Sequence, residues 1–186
     1  RADALFNSGG TIGAASNGNL VISEMVVTTD NSINLALGAP VTASASQWPG
    51  NPASFIVDGN TNTFSHPNQD AFAGFSYTVD LQGSYALTNL ELVNRADGCC
   101  PDRLSNYRVE VLSDAMVSLW SGDIRTDGSN SGVNGLDTIT AANGTGVFAG
   151  QYIRVTNLSN LQYNPQISEI RAFGAPIPEP SAVATS

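Results

Sequence analysis

The chemistry-bearing residues concentrate in one stretch, Asn94-Arg95-Ala96-Asp97-Gly98-Cys99-Cys100-Pro101-Asp102-Arg103-Leu104. Cys99 and Cys100 are the only cysteines, so the oxidised chain forms a vicinal disulfide. Such a ring is too small to staple distant strands; it stiffens its own turn. Reduced, the pair is two loop thiols, and with no second Cys pair or His cluster it does not make a zinc site. Arg95 and Arg103 flank the turn. A guanidinium is a planar fork of donors suited to two oxygens of one ligand, such as adjacent hydroxyls of a sugar. Asp97 is placed to orient Arg95 and balance its charge. His66, the single histidine, sits in the loop Asn62-Thr63-Phe64-Ser65-His66-Pro67-Asn68 and completes a three-pronged donor set if folding brings it to the arginines. The plain alternative is that all three are solvated surface residues.

Val57-Asp58-Gly59-Asn60-Thr61-Asn62 begins like a calcium loop, with oxygen ligands on alternate residues. It is not an EF-hand: the sixth position lacks Gly, and the twelfth is Gln69 in place of Glu. It reads either as an Asp-Gly-Asn turn or as a non-helical calcium site completed by backbone carbonyls, Ser65 and a distant acid such as Glu169. Enzyme signatures are missing: there is no Gly-x-Ser-x-Gly, no His-Glu-x-x-His and no phosphate-cradling Gly loop with Lys. Sixteen acids offer carboxylate pairs at many spacings, and none is singled out for glycoside hydrolysis. The expectation is a non-enzymatic binding protein.

Loops of this kind need a rigid scaffold, and the texture of the chain supplies an all-β one. Short runs of Val, Ile, Leu, Tyr and Phe alternate with polar residues and are punctuated by Gly, Asn, Ser, Asp and Pro. Strands are predicted near Leu20–Thr28, Val41–Ala45, Phe75–Leu81, Leu87–Asn94, Tyr107–Leu112, Val117–Ile124, Thr138–Ala141, Tyr152–Asn157 and Ile167–Phe173. No stretch has a helical period with caps. Regular strand spacing of this kind predicts a jelly-roll β-sandwich. Charged residues are only 12% of the 186, with no Lys and a net charge of −9, which argues against nucleic acid because nothing neutralises a run of phosphates. No apolar run reaches the roughly 18 residues of a membrane span.

At these residues the chain resembles the F-type lectins, or fucolectins, a family with a discoidin-like β-sandwich. Their signature is a His, a gap, Arg-x-Asp, a second gap and Arg or Lys. Here it reads His66, 28 residues, Arg95-Ala96-Asp97, five residues, and Arg103, both gaps slightly longer than the family's. Cys99-Cys100, Arg103-Leu104 and Asp58-Gly59-Asn60 are shared features. Asn34-Leu35-Ala36-Leu37-Gly38, Val79-Asp80-Leu81 and Ile167-Ser168-Glu169-Ile170 look like the wider discoidin group. The resemblance spans about residues 33–174. It implies that His66, Arg95 and Arg103 donate to an L-fucose-type sugar, with Asp97 in support. The sugar's methyl would rest on the Cys99–Cys100 disulfide and on Phe64 or Phe72. It implies a structural Ca2+ held by Asp58, Ser65, Glu169 and the carbonyls of Phe55 and Asn60. The partner would be a fucosylated glycan or a matrix polysaccharide.

The two ends read differently. Residues 1–32 begin loosely and then form one strand, whose Ile22-Ser23-Glu24-Met25 echoes Ile167-Ser168-Glu169-Ile170. A lone lectin domain does not need this segment. It motivates an alternative function, a subunit of an extracellular filament, surface layer or biofilm matrix that self-associates through its N-terminal strand. In the Pro-rich end, residues 175–186, Ile177-Pro178-Glu179-Pro180-Ser181-Ala182 resembles the start of a PEP-CTERM sorting signal of Gram-negative bacteria. That resemblance implies export, to the cell surface or an extracellular matrix. Asn143-Gly144-Thr145 and Asn157-Leu158-Ser159 are glycosylation sequons.

Overall fold

A computed structural model describes residues 33–68 and 73–177. The expected strand Leu20–Thr28, the rest of the N-terminal segment, Phe72 and residues 178–186 lie outside the described residues. The strands are β1 (Val41–Ala43), β2 (Ser76–Asn94), β3 (Tyr107–Leu112), β4 (Ser118–Ile124), β5 (Leu136–Ile139), β6 (Thr145–Gly146), β7 (Ala149–Asn157) and β8 (Ile167–Pro176). All pairings are antiparallel. Among the described residues no helix is long and apolar enough to cross a membrane.

β2 organises the molecule. The sequence reads as two strands here, Phe75–Leu81 and Leu87–Asn94, because Gln82-Gly83-Ser84 looks like a turn. They form one 19-residue strand that bends and serves two layers. Its first half lies between β1 and β7, with Val79 opposite both Val41 and Ile153. Its second half lies between β8 and β5, with Leu90 opposite both Ala172 and Ile139. The register with β7 shifts between Asp80 and Tyr85, where Gln82 takes a left-handed φ of 60°. A second shift lies between Leu87 and Asn89. Tyr77, Val79, Leu81 and Leu87 point inward before it, and Leu90 and Leu92 after it, so the bulge changes inward parity from odd to even residues. An alternating sequence therefore feeds both faces of a sandwich from one strand.

The larger layer runs β1-β2-β7-β3-β4-β6, and β8-β2-β5 packs across it. Between them lie Tyr77, Val79, Tyr107, Val109, Val111, Ile153 and Val155 facing Leu90, Leu92, Ile139, Ile170 and Ala172, all fully buried. Trp120 closes one end, stacked edge-on against Phe148 at 4.8 Å. This is the jelly-roll-like, discoidin-like all-β sandwich that the strand pattern predicts. The sequon asparagine Asn157 is wholly buried in β7, its Oδ1 accepting from Ser159 N at 2.9 Å, so that sequon is closed to modification.

Candidate functional site

The loops at one end of the sandwich bring the predicted cations together. The turn after β2 is pinned by buried Asn94, whose Nδ2 donates to the Pro101 carbonyl at 2.8 Å while its Oδ1 accepts from Arg95 N at 2.9 Å. Cys99 and Cys100 are bonded to each other. Cys100 sits at φ 54° and leads into a short 3-10 turn, Pro101–Arg103, in which Arg103 N donates to the Cys100 carbonyl. The long gap between Asp97 and Arg103 is thus coiled up in a turn, and Arg103 stays at the site. Its Nη1 lies 3.5 Å from His66 Nε2. His66 also feels both guanidinium charges, so the three residues share one locus.

Each cation is mounted differently. Arg95 is 5% exposed. Its Nε donates to Asp97 Oδ1 at 2.7 Å, Nη2 pairs with Asp97 Oδ2, and Nη1 donates to Gln166 Oε1. Its guanidinium lies over the Phe64 ring, 4.1 Å from the centroid. Phe64, expected under the sugar's methyl, therefore supports a cation. Arg103 lies over Tyr163 at 4.9 Å. Among the described residues it is the one arginine with no carboxylate within 4.0 Å; Arg95, Arg108, Arg125, Arg154 and Arg171 all have one. Its charge is held in place by an aromatic face, and its fork remains open to a ligand.

His66 Nδ1 lies 2.7 Å from the Pro67 carbonyl. A carbonyl only accepts, so Nδ1 carries the proton and Nε2 is an acceptor in the neutral ring. The three donors expected from sequence are two donors and one acceptor. Burial, then the charges of Arg103 and Arg95, hold the His66 pKa below 6.5, against the Pro67 hydrogen bond that raises it. Between that lowered value and 6.5 the unfolded chain binds the extra proton and the folded chain does not. Stability is therefore complete above pH 6.5 and declines as the pH falls through the window. The check is an NMR titration of the single imidazole: its midpoint lies below 6.5 in the folded protein and returns to the ordinary value in urea. Asp97, pulled below 3.8 mainly by its bonds to Arg95, adds a further loss at lower pH.

Three residues with no sequence signature complete the locus. Tyr163 touches His66 edge-on at 5.4 Å, and Trp48, 49% exposed, lies 5.8 Å from the same ring. Gln166, fully buried, joins Arg95 to the backbone of Arg103, whose carbonyl accepts from Gln166 N at 3.0 Å. Tyr163 and Gln166 flank Asn164-Pro165, a turn signal that marks the loop without marking its contacts. Trp48 is fixed at its backbone, N donating to the His66 carbonyl at 2.8 Å.

The loop at Asp58 lies against β8 on the same side of the fold. Ser65 N donates to the Ile167 carbonyl, and Gly59 N, at φ 78°, donates to both oxygens of Glu169 at 3.3 and 3.1 Å. Glu169 is wholly buried. Burial pushes its carboxyl up to about 7, and nearby Asp58 adds to the rise, against the Gly59 N–H and Arg171. Asp58 meanwhile braces its own loop, accepting from Asn60 N and Thr63 Oγ1, each at 2.8 Å. Ser65 Oγ donates to Tyr77 Oη at 2.8 Å and keeps its lone pairs. The carbonyl-bearing residues Phe55 and Asn60 lie in and just after the 3-10 turn Ala53–Val57. Among the described residues there is no cluster of three or more His, Cys, Asp or Glu side chains able to hold a metal. The ligands expected from sequence are all oxygen donors, the chemistry of a hard cation.

A two-layer antiparallel sandwich whose end loops display paired guanidinium and imidazole groups on aromatic supports defines a discoidin-like binding domain. The chain belongs to the F5/F8 type C family of NedA-like, galactose-binding domains, whose model matches residues 55–155, more than half of it. No curated protein matches it significantly by sequence. Its fold is similar to that of the lectin domain of lectinolysin, solved with Lewis B antigen: TM-score 0.66, 22% identity, 78% of this chain and 99% of that one. It is similar also to a Streptococcus pneumoniae fucose-binding module: TM-score 0.63, 21% identity, 80% of this chain and 99% of that one. A third similar structure is the serum fucolectin of striped bass, Morone saxatilis: TM-score 0.61, 15% identity, 77% of this chain and 48% of that one.

Proposed function

We propose that this domain is a calcium-stabilised lectin module that binds L-fucose-type sugars, working outside the cell on a fucosylated glycan or a matrix polysaccharide. The observation that carries the reading is Arg103: a guanidinium with no carboxylate partner among the described residues, set beside the acceptor nitrogen of His66 and the fork of Arg95. Neighbouring sugar hydroxyls fit that set, accepting from the arginines and donating to His66 Nε2. Among the described residues no cation lies over the Trp48 ring, which is half-exposed and offers an apolar face to the sugar's carbon edge. Membership of a galactose-binding family supports a carbohydrate ligand, and the fucose-binding names among the fold neighbours support L-fucose.

The extracellular setting rests on the resemblance of residues 177–182 to a sorting signal, and in that setting the Cys99–Cys100 pair stays oxidised. Calcium is supported by Glu169, a buried carboxylate whose one hydrogen-bond donor among the described residues is the Gly59 backbone N–H. Asp58, Glu169, Ser65 and the Phe55 and Asn60 carbonyls would hold the ion, which would supply the positive charge that the loop lacks.

Calorimetric titration with L-fucose and D-galactose in excess calcium tests the sugar reading. Saturable heat is expected for L-fucose, with Arg103→Ala weakening it about tenfold or more, the worth of one charge-assisted hydrogen bond. Galactose binding in place of fucose would keep the module and change its sugar. No heat with either sugar would overturn the reading.

A further inference from the structure

We propose that Gln166 is the positioning residue of the sugar site: its amide oxygen sets the plane of the Arg95 fork while its backbone N–H holds the turn that carries Arg103. The inference rests on the carbohydrate reading above and deepens it. Gln166 is 0% exposed, and its Oε1 accepts from Arg95 Nη1. Because a guanidinium only donates, this contact fixes which end of the amide faces the arginine. Its N donates to the Arg103 carbonyl at 3.0 Å. One residue thus touches both arginines, by side chain and by main chain.

Arg95 has three polar contacts at its head, two to Asp97 and one to Gln166. The Asp97 side chain is 39% exposed, and one residue of turn separates it from Arg95, so it holds the head from the same turn that carries Arg95. Gln166 comes from the opposite side of the site, at the start of β8 and 71 residues on in sequence. Gln166 is the partner tied to the sandwich: the next residue, Ile167, opens β8 and pairs with Asn94 of β2. With both partners engaged, the guanidinium plane is defined, and one N–H on each terminal nitrogen is left for a ligand. With Asp97 alone, Nη1 loses its one contact from across the site, and the tilt of the fork relative to Arg103 is held from one side only. The same loop supplies Tyr163, whose ring supports Arg103 and touches His66. The spacing of the cations therefore answers to a segment that contains no cation.

The test compares Gln166→Met, which keeps length and removes the acceptor, with Gln166→Glu, which keeps the acceptor. L-fucose affinity by calorimetry is expected to fall about 10–100-fold in the Met variant, the loss usual for an outer partner of a binding group, and to remain near wild type in the Glu variant. A second readout needs no sugar: the Arg95 side-chain N–H signals in 15N NMR, resolved in wild type and in Gln166→Glu, should average in Gln166→Met, while those of ion-paired Arg125 do not change. Should Gln166→Met not fold, Gln166→Asn, which draws the amide back by one methylene, takes its place with the same expectation. Wild-type affinity and unchanged Arg95 signals in the acceptor-free variant would overturn the inference. Absence of fucose binding in the wild type would instead remove the carbohydrate reading, leaving the Arg95 signals to decide whether Gln166 positions the fork.

Discussion

Arg95→Ala will abolish sugar binding and destabilise the domain, while Arg95→Lys will abolish binding at a smaller cost to stability. A charge-assisted hydrogen bond is worth about 1.5–3 kcal/mol, so losing a fork that makes two of them to one ligand costs on the order of a hundredfold or more. Affinity falls out of calorimetric range. The stability loss has a separate origin. Arg95 is 5% exposed, packs on Phe64 at 4.1 Å and satisfies Gln166 Oε1. Truncation leaves a void beside Phe64 and an unpaired buried acceptor, together about 2–4 kcal/mol. Asp97 contributes little to that sum, because at 39% exposure water replaces its partner. For a chain of this length the melting temperature should fall by about 5–15 °C. Lysine fills part of the space and keeps the charge, but a point charge cannot reach Asp97 and Gln166 in one plane. Thermal melts beside titrations separate the two effects. Full binding by Arg95→Lys would show that charge alone, without the fork, makes the site.

The strands of both layers could be read from alternation because each has one buried face, and the site cations because they stand in a recognisable spaced motif. What escaped sequence reading has a physical reason in each case. β2 looked like two strands because Gln82-Gly83-Ser84 has turn composition, whereas the chain uses those residues for a bend and a register shift inside one ladder. β6 is two residues long, too short to show a period. The gap before Arg103 is longer than the family's; the 3-10 turn Pro101–Arg103 takes it up, which no count of residues reveals. Gln166, Tyr163 and Trp48 act through contacts with residues far off in the chain, and their types occur in any loop. A motif records the groups that meet the ligand; the groups that aim them belong to the fold.

The second large effect is expected of the proposed calcium, and its logic is the reverse of that at Arg95, since here the charge lacks its partner. Glu169 is fully buried, receives among the described residues only the Gly59 N–H, and faces the like charge of Asp58. Such a carboxylate destabilises the fold unless a cation joins it. Added calcium at about a hundred times its dissociation constant should stabilise the domain by about 2.7 kcal/mol, which at this chain length is about 5–10 °C in melting temperature. Magnesium should do less, because it demands a tighter octahedral shell than a loop of carbonyls and carboxylates provides. Glu169→Gln separates this from a general salt effect. The amide is isosteric and uncharged, so the calcium-free variant should melt no lower than wild type, yet it should gain nothing from calcium. An acid whose role was only to hold Gly59 N would behave otherwise: the amide oxygen still accepts that bond, and any response to calcium would be the same in wild type and variant. Asp58→Asn should lose the calcium response as well and in addition loosen its own loop, since Asp58 also braces Asn60 and Thr63. A calcium response that survives Glu169→Gln would place the ion elsewhere on this chain.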